Sequence, residues 1–328
     1  MNKAGTLQSL QALRGVGAVA VVIYHALSIH PFLNFRAGAA GVDLFFVISG
    51  IVMCLSLRPE TTALDFMKRR VIRVVPMYWI ATTLAAAYFY IRYPDIPPST
   101  IHIVRSYLFA PPPEGFGMPV LYPGWTLNFE MFFYAVLSVM LVTRRMAIPL
   151  AACLLVVLSS VGSVIPSLSK IYYFNPIILE FAAGMVIGLA IKAGYRPRLM
   201  EGSVYLIGAL VLIVVHNHYR SEGVLPWLLP SILLIVGSLA FETSKVVTHR
   251  FTQLIGEASY SIYLFHALAI WLTTWIWRGT PQAGAVLFAI ALSVVMGVAA
   301  YYTLEKPLLN LMLRRRKSSA KKSLEGHA

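Results

Sequence analysis

The sequence predicts an all-α fold, a polytopic membrane bundle of about ten transmembrane helices with both termini cytoplasmic. Three observations carry this. Of the 328 residues, 58% are hydrophobic and only 12% charged, with a mean hydropathy of +0.73, whereas a soluble domain carries about 25% charged residues. Apolar windows of membrane-spanning length, about 17–25 residues each, recur from one end of the chain to the other. Lysine and arginine divide unevenly between the two sets of connections. Length alone suggests two domains, but the unbroken series of windows reads as one integral-membrane domain, 1–306, followed by a basic cytoplasmic tail, 307–328.

The first window, Leu10–Ile29, has no small-residue cleavage site behind it and reads as an uncleaved span. Ala40–Leu57 follows and carries Asp43 near its start. Val71–Ile91 is introduced by Lys68, Arg69 and Arg70. The next connection, Arg92–Gly124, is long and rich in proline, and loops of that length are commonly functional or disordered. Because it holds the apolar run Ile101–Phe109, it reads as an ordered lid or an interfacial helix. Trp125–Val142, Met146–Val164 and Ile171–Ala190 come next, then Gly202–Tyr219, which ends in the polar run His216, Asn217, His218. Leu225–Phe241, Tyr260–Ile276 and Gly284–Tyr302 complete the ten. Glu305-Lys306-Pro307 is expected to end the last helix, since proline cannot continue the hydrogen-bond ladder.

With the N-terminus inside, the cytoplasmic side collects 21 of the 27 lysines and arginines, from Lys3 and Arg14 through Arg144 and Arg145 to Arg314–Lys317, Lys321 and Lys322. The other side keeps Arg36, Arg92, Arg105, Lys170, Arg220 and Arg278. That bias orients the bundle by the positive-inside rule and favours an even number of spans. It also accounts for much of the net charge of +14 without nucleic acid as a partner. The basic tail reads as a topology anchor or a contact with anionic membrane lipids. Cys54 and Cys153 form no motif and read as packing residues.

Ionisable groups inside the windows are the candidates for function, because each costs about 2.5–3.5 kcal/mol at mid-helix on insertion scales. Arg14 and His25 stand eleven residues apart on the first window. That spacing returns a helix to within about 20° of its starting face after a rise of about 16 Å. His25, Asp43 and Glu130 all fall within one or two turns of the outer surface, so spacing permits a His–Asp–Glu cluster. A histidine beside a carboxylate is a sound general base for an alcohol; the same three residues would equally serve as a polar network pinning helices together. At the inner surface, Arg69 and Arg73 are expected to share a helix face, and with Arg70 and Arg14 they form a mouth suited to phosphate oxygens. The ninth window runs from Glu257, Ser259 and Tyr260 through Tyr263 to His266, and with Trp125 these supply candidate substrate contacts. His266 and, in the sixth window, Glu180 read equally as hydrogen-bonded helix contacts. A transporter of a glycan or lipid-linked sugar, with the buried charges as its path, is the alternative to an enzyme.

Several chemistries are absent by motif: G-x-S-x-G, H-E-x-x-H and the P-loop, and a histidine with aspartate five positions later. His216 and His218 have metal-like spacing without a third ligand, so no metal is expected.

The pattern resembles the family-three membrane acyltransferases, which O-acylate bacterial cell-surface carbohydrates. The resemblance rests on Leu13-Arg14-Gly15 leading to His25, on Gly41 to Gly50 (GVDLFFVISG), on Arg69 to Tyr78 (RRVIRVVPMY), on Trp125 to Glu130 (WTLNFE), on Ser259 to His266 (SYSIYLFH) and on Glu305-Lys306-Pro307. Their order and spacing span almost the whole chain. The resemblance implies a ten-span bundle in the bacterial cytoplasmic (inner) membrane. It would take an acyl group, usually acetyl, from acetyl-CoA or another acyl-CoA and pass it to a hydroxyl of an exported polysaccharide or lipid-linked oligosaccharide. It maps the catalytic histidine to His25 and the arginines to Arg14, Arg69, Arg70 and Arg73. Many relatives carry a further esterase-like domain, which is not expected here; that likens the chain to compact exopolysaccharide-modifying members.

Overall fold

The computed structural model describes residues 7–113, 117–169, 171–219, 223–277 and 282–313. Among them the regular structure is helical, with no strand. Lys3, Lys170, Arg220, Arg278 and the tail from Arg314 onward lie outside the described residues, so the part of the charge bias that rests on them has no structural counterpart.

The elements in order are α1 Gln8–Ala26, α2 Gly41–Ser56, α3 Ala63–Arg92, α4 Thr100–Tyr107, α5 Gly124–Met140, α6 Ala147–Val164, the single turn α7 Pro166–Ser169, α8 Ile178–Lys192, α9 Leu199–His218, α10 Leu225–Ser238, the turn α11 Lys245–Thr248, α12 Arg250–Glu257, α13 Ser259–Ile276 and α14 Ala283–Ala300. Every predicted window overlaps one of these helices, although Ile171–Ala190 meets α8 only from Ile178 onward. Six helical stretches are long and apolar enough to cross a membrane by length and composition: Gln8–Ala26, Arg36–Ser56, Ala63–Arg92, Gly124–Val164, Leu199–His218 and Ala283–Leu313. Gly124–Val164 contains two of the predicted windows, divided at Arg144, whose φ of 51° breaks the helical path. The remaining windows lie on shorter or more polar helices, and this separates six membrane-length stretches from the ten expected.

Local chemistry sets several boundaries that hydropathy misses. Helix α3 starts eight residues before the predicted window because Thr62 caps it, its hydroxyl accepting from the Asp65 N–H at 3.1 Å. The arginines therefore ride on the first turns of a helix instead of a loop. At the other end of the chain the expected stop at Pro307 does not occur. A π-helical turn at Tyr301–Glu305 absorbs the missing N–H and the bulk of the proline ring, and the helix runs on to Leu313. The wide turn also swings Glu305 inward, where Ser261 Oγ donates to it at 2.6 Å.

The largest core cluster joins α2, α3, α5 and α8 through Phe46, Phe66, Tyr78, Phe133, Tyr134 and Phe181, and reaches α6 through Leu155 and α13 through Leu264. Helices α2 and α8 approach most closely where Gly50 meets Gly184; a Cβ on Gly184 would strike the Val47 carbonyl. Small residues at such crossings let backbones approach where no hydrophobic effect drives helices together. The long connection is built around α4. Ser106 Oγ donates to the His102 carbonyl at 2.8 Å and accepts from Val120 N at 3.0 Å, and His102 Nε2 meets the Met118 carbonyl at 2.9 Å. Trp79 Nε1 on α3 donates to the Tyr107 carbonyl at 2.9 Å. These bonds tie the connection down and deliver Tyr122 into the bundle.

Candidate active site

An open cavity with about 780 Å³ of empty space lies between α1, α2, α3, α5 and α13. Its polar lining is Arg14, Ser49, Arg70, Arg73, Thr126, Glu130, Tyr134, Tyr260 and Tyr263, set among apolar side chains of α2. Three guanidinium groups thus face a space that holds one carboxylate. The Arg14 guanidinium makes no hydrogen bond among the described residues, although Arg73, Glu305 and Glu130 are near enough to act on its charge. Arg70 is fixed from behind. Its Nη2 donates to Ser56 Oγ at 2.6 Å, and its guanidinium lies 5.3 Å from the Phe66 ring and 5.9 Å from the Tyr134 ring. Its Nε is buried without a partner. Such an array of planar, forked donors suits phosphate or carboxylate oxygens.

Of the four arginines named from sequence, Arg14, Arg70 and Arg73 line the cavity and Arg69 does not. The face that matters on α3 is the i, i+3 pair Arg70 and Arg73, not the i, i+4 pair Arg69 and Arg73. Both spacings are neighbours on a helix surface, so sequence alone did not choose between them.

The expected His25–Asp43–Glu130 cluster is dispersed. Glu130 faces the arginines: it accepts from Ser49 Oγ at 3.2 Å and from the Tyr134 hydroxyl. Asp43 meets the carboxyl of Glu180 on α8, which is fully buried. His25 makes no hydrogen bond through its ring among the described residues and lies against rings instead, with centroids 4.9 Å from Tyr122 and 5.3 Å from His266. Counting residues from a nominal outer surface assumes that all helices start in one plane. It also leaves the facing direction open: α2 turns Asp43 toward Glu180 of α8, while α5 turns Glu130 toward Ser49 of α2.

The three predicted substrate contacts also separate. Tyr263 lines the cavity, and its hydroxyl lies 3.0 Å from Thr126 Oγ1. His266 is fully buried behind it, with Nδ1 2.5 Å from the Tyr263 carbonyl and Nε2 2.9 Å from the Tyr122 hydroxyl. Trp125 packs edge-on to Phe46 and Phe129, and its carbonyl accepts from the Tyr172 hydroxyl at 2.7 Å. Tyr263 is therefore the link between the two polar regions: its side chain faces the cavity and its backbone holds His266. Tyr122 and Tyr134 were not singled out from sequence; as common residue types without a motif, they carry no signal until the helices are assembled. Ser49 lies within the quoted Gly41 to Gly50 segment, but its pairing with Glu130 is visible only in the assembled bundle. Among the described residues no group of three or more His, Cys, Asp or Glu could hold a metal ion.

The model of the acyltransferase domain family matches residues 7–304. The chain belongs to the family-three acyltransferases. It is 38% identical over 300 residues to the exopolysaccharide production protein ExoZ of Rhizobium meliloti, covering 86% of this chain and 93% of that protein. It is 25% identical to the acyltransferase MdmB of Streptomyces mycarofaciens, over 94% of this chain and 93% of the relative. The peptidoglycan O-acetyltransferase OatA of Listeria monocytogenes is 23% identical over 92% of this chain and 55% of its own length. No solved structure matches the chain. Family membership decides between the two readings left open by the buried charges: this is a membrane O-acyltransferase, a multi-pass enzyme that transfers groups other than aminoacyl groups.

Proposed function

We propose that the enzyme moves an acyl group, most simply acetyl, from an acyl-CoA to a hydroxyl of an exported polysaccharide or its lipid-linked precursor, with His25 as the general base. The observation that carries the donor half is the cavity with three guanidinium groups, one of them, Arg14, with no hydrogen bond to the protein. A half-buried cation without a hydrogen-bonding partner among the described residues is costly, and the phosphates of an acyl-CoA would supply one. Arg14, Arg70 and Arg73 hold the phosphates in this reading, while Arg69 adds positive charge beside Arg70. Tyr263 and Thr126 line the cavity; His25 lies off its wall, beyond Tyr263 and the ring of His266, so the thioester arm has to extend past Tyr263 to reach it. The exopolysaccharide and peptidoglycan relatives support a polysaccharide acceptor.

His25 takes the proton of the acceptor hydroxyl as its oxygen attacks the thioester carbonyl. The C–S bond breaks, and the proton passes to the departing thiolate to give free CoA. Positioning and general base catalysis, the latter worth about 10²–10⁴-fold, are the protein's main contributions. The topology that fits is ten crossings of the bacterial cytoplasmic membrane with both termini inside, supported by the charge bias of the connections. The test is purified protein with acetyl-CoA and acceptor, followed by release of free thiol. Acceptor-dependent release supports the proposal; release that ignores the acceptor, or none with any acyl-CoA, refutes it.

A further inference from the structure

Among the described residues no carboxylate bonds to the proposed base, His25. Asp43 faces Glu180, and Glu130 faces Ser49 and Tyr134. His25 instead has Tyr122 and His266 beside it, at 4.9 and 5.3 Å between ring centroids, and its exposed neighbour Tyr24 at 5.0 Å.

The hydrogen bonds of His266 fix the direction of this group. Its Nδ1 faces the Tyr263 carbonyl at 2.5 Å, and a carbonyl only accepts, so Nδ1 carries the proton. In a neutral imidazole the other nitrogen is then an acceptor. Nε2 therefore accepts from the Tyr122 hydroxyl, 2.9 Å away. Both nitrogens of His266 are used, and the residue is fully buried, so it has no atom left to take a substrate proton. Tyr122 is different: its proton is held by His266, but its oxygen keeps lone pairs, and its ring lies next to that of His25.

We infer that Tyr122, with its hydroxyl proton held by His266, is the positioning residue for His25. This rests on His25 being the base. In the structure the two rings touch without a hydrogen bond; when the acceptor enters, the phenol oxygen takes up the N–H of the His25 ring, which leaves the other His25 nitrogen free to receive the acceptor's proton. It also partners the imidazolium that forms while the alcohol oxygen bonds to the acyl carbon. When the C–S bond breaks, the electron pair stays on sulfur, and the imidazolium returns the proton there. Tyr122 keeps its own proton throughout and never bonds to substrate. Here a neutral phenol takes the place that an aspartate fills in other histidine-based sites. A neutral partner suits this location, since it introduces no further buried charge.

Tyr122→Phe retains the ring and removes the oxygen. The expected result is a drop in kcat of roughly 10- to 100-fold, the size of one hydrogen bond to a charged group, with the KM for acetyl-CoA within about twofold of the parent. A purely structural role would not separate those two constants. A second pair of variants guards against misfolding at Tyr122. His266→Gln offers an amide oxygen to accept from the tyrosine, whereas His266→Leu frees the hydroxyl to turn its proton toward His25. The glutamine variant should therefore exceed the leucine variant in kcat by about tenfold at equal thermal stability. Wild-type kcat in Tyr122→Phe, or equal kcat in the two His266 variants, overturns the inference. His25→Ala is assayed alongside: if it still turns over, the base assignment itself fails, and if it alone is inactive, only the role of Tyr122 is lost.

Discussion

The two polar regions of this bundle are built on opposite plans. The arginine cavity is hollow, and its cations outnumber its carboxylate, with Arg14 making no hydrogen bond among the described residues. The cluster of Tyr122, His266 and Tyr263 is filled, with His266 fully buried and both its nitrogens bonded. A hollow of unsatisfied charge is arranged for a ligand that brings the missing anion. A packed set of rings with committed hydrogen bonds is arranged to hold one neighbour, His25, in place. In the proposed function binding and chemistry fall to different residues, and substitutions should separate them.

The largest effect is expected at the ring cluster. His25→Ala should lower acceptor-dependent thiol release by at least about 10²-fold while leaving the unfolding midpoint and the affinity for CoA unchanged. Loss of affinity in that variant would merge the two regions into one. Next is Arg14→Ala, which removes a cation without breaking any hydrogen bond among the described residues. The KM for acetyl-CoA should rise roughly 10-fold or more, the range for one hydrogen bond to a charged group, with kcat nearly constant. An unchanged KM would mean that the hollow binds something else.

How much of this division was legible in the sequence depends on which physical rule each part obeys. The helices were legible because hydropathy over a window is a local property; each of the ten windows overlaps a helix. The arginines were legible because a cation beside or within an apolar window is costly anywhere it falls. The orienting partner of His25 was not. Tyr122 sits in an irregular connection next to Pro123, where neither periodicity nor charge marks it, and it reaches His25 only because α4 and its hydrogen bonds fold that connection back. The carboxylates misled for a related reason. Similar distances from window ends suggested a common depth for Asp43 and Glu130, but α2 turns Asp43 toward α8 and α5 turns Glu130 toward α3. Glu180, without an assigned partner in sequence, proves to be the group that Asp43 meets. The π-helical turn at Tyr301–Glu305 was hidden because Pro307 looks the same to a sequence reader whether it ends a helix or follows a widened turn.

Smaller effects sharpen the contrast between binding groups and structural ones. Arg69 lies off the cavity wall, so Arg69→Ala should raise the donor KM about threefold or less, through loss of a screened charge; an effect equal to that of Arg14→Ala would bring Arg69 into the binding set. The Asp43–Glu180 pair lies outside both regions. Glu180→Gln supplies amide N–H donors to Asp43 in place of a second carboxyl, so thiol release should stay within about twofold, the scale of one neutral hydrogen bond or less, with no fall in thermal stability. A loss of turnover without a loss of stability would show that these carboxyls belong to the reaction.

The most direct test of the division between a binding hollow and a catalytic ring cluster is equilibrium binding of CoA to the purified protein, to Arg14→Ala and to His25→Ala, measured side by side by calorimetry. CoA should bind the parent and His25→Ala equally and Arg14→Ala at least about tenfold more weakly. Equal binding by all three, or weakened binding only in His25→Ala, would contradict it.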